Sequence, residues 1–230
     1  MHDLHVLVAP KLCRLIFMVK CTDRFIDNGL CTKISIARVP KLEVLGYLDP
    51  SIHVLELGDT IIKAETNPSR ATKLCSVKVL ALKVQLGVPK EANVVISYLK
   101  CFPYVETLHV LSKVGELGSF DVKFWQQAGT IHCLRSTLRK LVLKNFQGKD
   151  TEFAFLKFVW ERAKVLERVM INLADGNDAP SLEEVVCKLQ AQVCAKRFRH
   201  RKSLLIVCTG GRKCTLEAAS NLSVNDPFDI

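Results

Sequence analysis

A short apolar phrase, Leu-x-x-Leu-x-Leu in loose form, recurs along the chain and limits its folding options more than any other feature. Its clearest copies are Val77/Leu80/Leu82, Val105/Leu108/Val110, Leu138/Leu141/Leu143 and Leu166/Val169/Ile171, with a weaker one at Leu42/Leu45/Tyr47. The middle positions Leu80, Leu108, Leu141 and Val169 lie 28, 33 and 28 residues apart. That interval holds a strand, a turn and one helix, so each unit has an apolar face to lay against the next and none folds alone. The pattern predicts an α/β solenoid built on a roughly parallel strand ladder. An ordinary α/β domain with similarly spaced strands is the alternative that spacing leaves open.

Other segments fit between these strands. Ile52, Leu55 and Leu57 alternate as a strand would, but Leu55 follows Leu45 by only ten residues, and Asp49-Pro50 marks a turn between them. A parallel neighbour with a helical crossover does not fit in that length. Leu42 to Leu48 therefore reads as a strand of the inner sheet and Ile52 to Leu57 as a short return strand on the outer side. Before residue 40 the pattern blurs, and Leu12 to Val19 and Ile34 to Ala37 read as two degraded repeats. From Thr151 to Ala163, residues Phe153, Leu156, Val159, Trp160 and Ala163 recur at three- and four-residue steps. This is one amphipathic helix whose aromatic residues anchor neighbouring repeats. Residues 91–101 suggest a poorer helix and Phe120 to Ala128 a short one. Ser181 with Glu184 three positions later has the form of a capping box, opening a helix expected to reach Cys194 or Lys196. Ser203 to Cys208 is a β-type run closed by Gly210-Gly211, and the last dozen residues are polar enough to form a loose tail.

With 230 residues and 49% hydrophobic composition, the chain can bury a sizeable core without covalent staples. Its ten cysteines show no CxxC pair and no regular close spacing, so they read as reduced, mostly buried thiols. The first apolar run, Leu4 to Ala9, is cut by Pro10 and Lys11 and lacks a signal-peptide cleavage pattern. No stretch approaches membrane-spanning length. An intracellular protein of the cytoplasm or nucleus, away from membranes, is the expectation. The net charge of +10 is uneven, because Lys196, Arg197, Arg199, Arg201 and Lys202 supply half of it within seven residues. Such a block fits a solvated helix end, an import signal or an anion-binding strip, and no RNA- or DNA-binding fold signature supports nucleic acid.

Catalytic patterns are missing from the sequence. Gly210-Gly211-Arg212-Lys213 does not complete a phosphate loop, and there is no Gly-x-Ser-x-Gly elbow, His-Glu-x-x-His helix or calcium loop. Cys101 and Cys133 have no neighbouring base to activate a thiolate, and His109 stands alone on a strand. The expectation is a protein that is not an enzyme and carries no cofactor or metal.

Several stretches resemble a known family. Val39-Pro-Lys-Leu-Glu-Val-Leu-Gly-Tyr-Leu-Asp and Cys101-Phe-Pro-Tyr-Val-Glu-Thr-Leu-His-Val-Leu look like repeat units of plant F-box proteins with leucine-rich repeats. Ile131-His-Cys-Leu-Arg-Ser-Thr-Leu-Arg-Lys-Leu-Val-Leu-Lys-Asn-Phe-Gln-Gly, then Glu152-Phe-Ala-Phe-Leu-Lys-Phe and Ala163-Lys-Val-Leu-Glu-Arg-Val-Met-Ile, closely resemble the FBD domain. Asp226-Pro-Phe-Asp is similar to the end of that subfamily. The resemblance implies an irregular leucine-rich-repeat solenoid of α/β class ending in an FBD-type unit. Its expected divisions are partial repeats at 1–38, leucine-rich repeats at 39–130, the FBD-type domain at 131–172 and a helix-strand cap with tail at 173–230. No segment of this sequence resembles an F-box. Docking on the Skp-type adaptor and cullin of a ubiquitin ligase is therefore expected only if an F-box is supplied elsewhere.

By the resemblance, the function is protein binding, with an unknown target held as by the substrate-recognition part of an F-box receptor. A basic nuclear or nucleic-acid-associated protein acting through residues 196–202, or a fragment without activity, are the alternatives. On a strand ladder, side chains alternate between the core and the open concave face. The outward set comprises Val79, Ala81 and Lys83; Thr107, His109 and Leu111; Lys140, Val142 and Lys144; and Arg168 and Met170. Of these, Lys83, Thr107, His109, Leu111, Lys140, Val142, Lys144 and Arg168 are the candidate protein-binding residues.

Overall fold

The computed structural model describes residues 3–17, 31–66, 68–69, 72–115, 122–176, 180–191, 204–209 and 214–229. Its main feature is a seven-stranded sheet in which every neighbouring pair is parallel. In chain order its strands are β2 (Arg14–Ile16), β4 (Val44–Leu48), β7 (Val79–Val84), β8 (Thr107–Ser112), β9 (Lys140–Phe146), β10 (Arg168–Leu173) and β11 (Leu204–Thr209), and they lie side by side in that order. Chain order equals spatial order because each unit returns to the same edge before starting its next strand, which is the solenoid solution to burying one face per repeat.

The recurrent leucines explain the register. Leu15, Leu45, Leu80, Leu108, Leu141, Val169 and Leu205 form one continuous row across the sheet. Leu48, Leu82, Val110, Leu143, Ile171 and Val207 form a second, two positions further on where the ladder is regular. Both rows point into the main core. A one-residue slip in any strand would turn its row outward, so burial holds the alignment.

Main-chain hydrogen bonds repeat with the same period. The carbonyl just before each ladder strand, at Cys13, Glu43, Lys78, Glu106 and Arg139, accepts two N–H groups from the next unit at 2.8–3.1 Å. Side chains at Glu43, Lys78, Glu106, Arg139 and Glu167 alternate in sign along this edge. Lys78 reaches Glu43 at 2.9 Å and Arg139 pairs with Glu167. These pairs are exposed, so they contribute little to stability and mainly disfavour misregistered neighbours.

On the convex side the return segments change character along the chain. The first three form a second sheet with β1 (Leu4–Val6), β3 (Thr32–Ile36) and β5 (His53–Leu57) in parallel, closed by antiparallel β6 (Thr60–Ile61). Ile52 to Leu57 is thus an outer return strand. Ile34 to Ala37 is no ladder repeat, because β3 is the outer half of the unit that begins at β2, whereas Arg14–Ile16 does join the ladder. Gly46, within β4, faces Ala81 so closely that a Cβ there would lie 2.5 Å from that residue's Cβ and carbonyl oxygen.

Further along, helices replace the outer strands. They are α1 (Pro89–Cys101), a 3-10 helix (Val122–Gln127), α2 (His132–Ser136), α3 (Asp150–Arg162) and α4 (Leu182–Leu189). Trp125 packs on Phe155 and Phe158 of α3 at 5.1 and 5.0 Å between centroids. Phe153, Phe155, Phe158 and Trp160 are all buried, as expected of anchors between units. At the start of α4, Glu184 N–H donates to Ser181 Oγ at 3.2 Å and Ser181 N–H to the Glu184 carboxylate at 3.3 Å, completing the capping box. The expected extension of this helix to Cys194 or Lys196 falls outside the described residues, as does the Gly210-Gly211 turn.

Two expectations need correction. Eight cysteines lie among the described residues, all as free thiols, and only Cys101 and Cys133 are fully buried. Cys75 and Cys187 are exposed, the first in the turn before β7 and the second on the side of α4 away from its buried residues Val185 and Leu189. More consequential is the final segment. Residues 214–229, including α5 (Leu216–Ser220), are not loose but are bonded to the concave side of the ladder.

Candidate functional site

The concave face begins from strand alternation, and the sheet brings the expected outward residues into rows. Thr107 aligns with Val79 and Lys140, His109 with Ala81 and Val142, and Leu111 with Lys83 and Lys144. Arg168 aligns with Lys140 and Met170 with Val142. The sequence places these residues together correctly, but the closing strap covers the middle of the face. His109 and Ala81 are fully buried, and Val79, Val142 and Lys144 are buried as well. Lys83, Thr107, Leu111, Lys140 and Met170 are half-buried, and only Arg168 of the set is exposed. The expectation of an open surface at His109, Val142 and Lys144 is therefore corrected.

Phe228 is the centre of the cover. It is completely buried against Val44, Tyr47, Val79 and Ala81, a small cluster separate from the main core. Its ring meets Tyr47 edge-on at 5.0 Å and His109 at 5.3 Å, geometries that aromatic quadrupoles favour. Polar contacts surround it. The Asp226 carboxylate lies 2.9 and 3.1 Å from His109 Nε2, and it also accepts the Phe228 N–H at 3.1 Å. Lys144 Nζ donates to the Phe228 carbonyl at 2.7 Å, and Lys140 pairs with Asp229. At the other end, the Arg14 guanidinium donates to the carbonyls of Ala219 and Asn221 at 3.1 and 2.8 Å and to that of Val224. A cation at carbonyls following a helix is favourably placed.

Ionisation follows from burial. Burial pushes the His109 imidazole below its usual value, outweighing the hydrogen bond and charge of Asp226 that pull it up. For Asp226, burial raises the carboxyl, but the hydrogen bond from His109, the Phe228 N–H and the charge of Lys140 bring it below its ordinary value. The ring is then neutral, donating from Nε2 to the carboxylate, and Nδ1 has no hydrogen-bond partner among the described residues. No thiol or hydroxyl there is bonded to that nitrogen, so the His-Asp pair does not extend to an activated nucleophile. Burial also pushes the Cys101 and Cys133 thiols up to about 12, which leaves them protonated near neutrality. Among the described residues, no three His, Cys, Asp or Glu side chains converge as a metal site, and no helix is long and apolar enough to cross a membrane.

Beyond the strap, Arg168 and Leu204 on the last two rungs are exposed, and Met170 and Ile206 are half-buried. Arg168 lies beside Leu204, and Met170 beside Ile206. Leu204 is 53% exposed. This patch combines aliphatic side chains with a guanidinium, and it spans β10, which is paired on both sides, and β11, the last strand of the sheet. The basic residues Lys196, Arg197, Arg199, Arg201 and Lys202 lie outside the described residues.

Sequence reasoning missed Arg14, Tyr47, Asp226, Phe228 and Asp229. The available signal was a single phenylalanine between two aspartates in a polar stretch, matched by cations in the outward set.

A parallel ladder with one strand per unit and inward leucine rows defines a leucine-rich-repeat solenoid. Two family models match the chain, one described as FBD-associated F-box protein At5g56370, LRR repeats, over residues 1–110, and the other as FBD, over residues 126–171. The chain is a leucine-rich-repeat plus FBD protein, and these parts make it a protein-interaction module of the F-box protein family. No curated protein and no solved structure matches it significantly. The FBD match runs from the 3-10 helix through β9 and α3 into β10, so its two strands are rungs of the common ladder.

Proposed function

We propose that the chain binds a target protein through the concave face, in the manner of the substrate-recognition part of an F-box ubiquitin-ligase receptor. The observation that carries this reading is the patch of Arg168, Met170, Leu204 and Ile206, where side chains stand outward on the last two strands of the parallel sheet, Arg168 and Leu204 exposed and Met170 and Ile206 half-buried. A few apolar anchors supply most of the affinity at such a surface, while a rim charge such as Arg168 governs encounter and favours an acidic partner. Lys83 and Thr107 flank the strap and extend the candidate surface. Ligase assembly through a Skp-type adaptor and cullin is a separate proposal that requires an F-box.

The test is affinity purification from plant cells with the wild-type chain, a Met170→Asp/Arg168→Glu variant and a convex-side control, Lys157→Glu. Partners lost only with the concave variant support the reading. Identical partner sets for all three would overturn it. Direct adaptor recovery, scored separately, would establish ligase docking.

A further inference from the structure

The strap meets the ladder as a short peptide ligand would. Residues 226–229 contribute an aromatic ring, two carboxylates and a carbonyl, and the ladder strands supply a partner for each. Tyr47, Val44, Val79 and Ala81 form the ring's slot. His109 takes Asp226, Lys140 takes Asp229, and Lys144 reads the main chain at the Phe228 carbonyl. None of these contacts requires the acidic segment to belong to the same chain. The slot is also separable from the fold, since Phe228 belongs to a small cluster apart from the two leucine rows. Removing the strap would open His109 and Lys144 to water and leave the same donors for another acceptor-bearing segment to take up. A cavity of about 420 Å³, lined by Arg14, Thr107, Asn225 and Asp226 among others, already separates part of the strap from the strands.

We propose that Asp226-Pro-Phe-Asp is an internal ligand, occupying in cis a site that takes an acidic, phenylalanine-centred segment of a partner protein in trans. This deepens the concave-face reading and rests on it. The strap then lowers the apparent affinity for such a partner by the fraction of time it stays docked.

The experiment measures fluorescence anisotropy of a labelled peptide with the sequence of residues 222–229, titrated with the full-length chain. Phe228→Ala should bind it at least about tenfold more tightly than wild type, because the site is vacated more often. A peptide with alanine in place of its phenylalanine should lose that binding, and Lys140→Glu in the Phe228→Ala background should weaken it. A folded Phe228→Ala chain, cooperative in thermal melting, that binds no better than wild type overturns the proposal. Should that variant not fold, Asp226→Asn/Asp229→Asn serves instead, with the same expectation. A wild-type dimer that Phe228→Ala dissociates would assign the slot to a second copy and also overturn it. If the Met170/Arg168 variant loses its cellular partners while the peptide fails, only this inference falls. If that variant keeps them all, the concave-face reading itself falls.

Discussion

Phe228→Ala also measures how strongly the strap is docked. The ring is fully buried, and burying a phenylalanine side chain contributes roughly 1.5–3 kcal/mol. Its edge-on contacts with Tyr47 and His109 add about 0.5–1.5 kcal/mol each. Truncation should therefore weaken docking by about 3 kcal/mol, which corresponds to a roughly 100-fold rise in the undocked population. Because the ring lies outside the main core, the loss should be local. Hydrogen exchange monitored by NMR reads it directly. The amides of Phe228 and Asp229, bonded to the Asp226 carboxylate and carbonyl, should lose about 100-fold in protection. Amides of Leu108 and Leu141 inside the ladder should keep theirs. Equal acceleration at the strap and the ladder would refute the claim that the two are separate cooperative units, and unchanged exchange at Phe228 would refute the docking energy.

Acid should release the strap. His109 and Asp226 both titrate below their ordinary values when docked, so the undocked state binds more protons as pH falls. Docking is full above pH 6.5, the usual imidazole value, and weakens below it, with a further loss as pH drops through the carboxylate range under 3.8. Near-UV circular dichroism of Tyr47 should report this, and stronger docking at pH 5 than at pH 7 would contradict it. Glu152→Ala should cost about 2 kcal/mol by orphaning the half-buried Gln147 and Lys149 N–H groups at the start of α3. A fall of about 4–8 °C in Tm checks it. Gly46→Ala should cost about 3 kcal/mol, read from the denaturant midpoint, because the new methyl group meets Ala81 backbone rather than a side chain able to move. An unchanged midpoint would show that β4 and β7 can separate at no cost.

The ladder was legible because its signal is local and repeated. Leu80, Leu108, Leu141 and Val169 each sit in the same short phrase, and stacking like units places them in one row without further information. The helix α3 and the capping box at Ser181 were readable for the same reason, since their determinants lie within a few residues of one another. The outer sheet was only half legible. Ile52 to Leu57 betrayed itself by being too near Leu45, whereas β1 has three residues and no pattern of its own. Phe228 stands alone in a polar segment, and nothing in its neighbourhood requires burial. Its fate is decided by Tyr47 and by His109, whose own partner Asp226 is 117 residues further along the chain. Side-chain alternation by itself established which residues of the ladder face outward. Whether that face meets solvent or the chain's own strap depended on contacts between distant segments, and only the assembled tertiary structure brings those together.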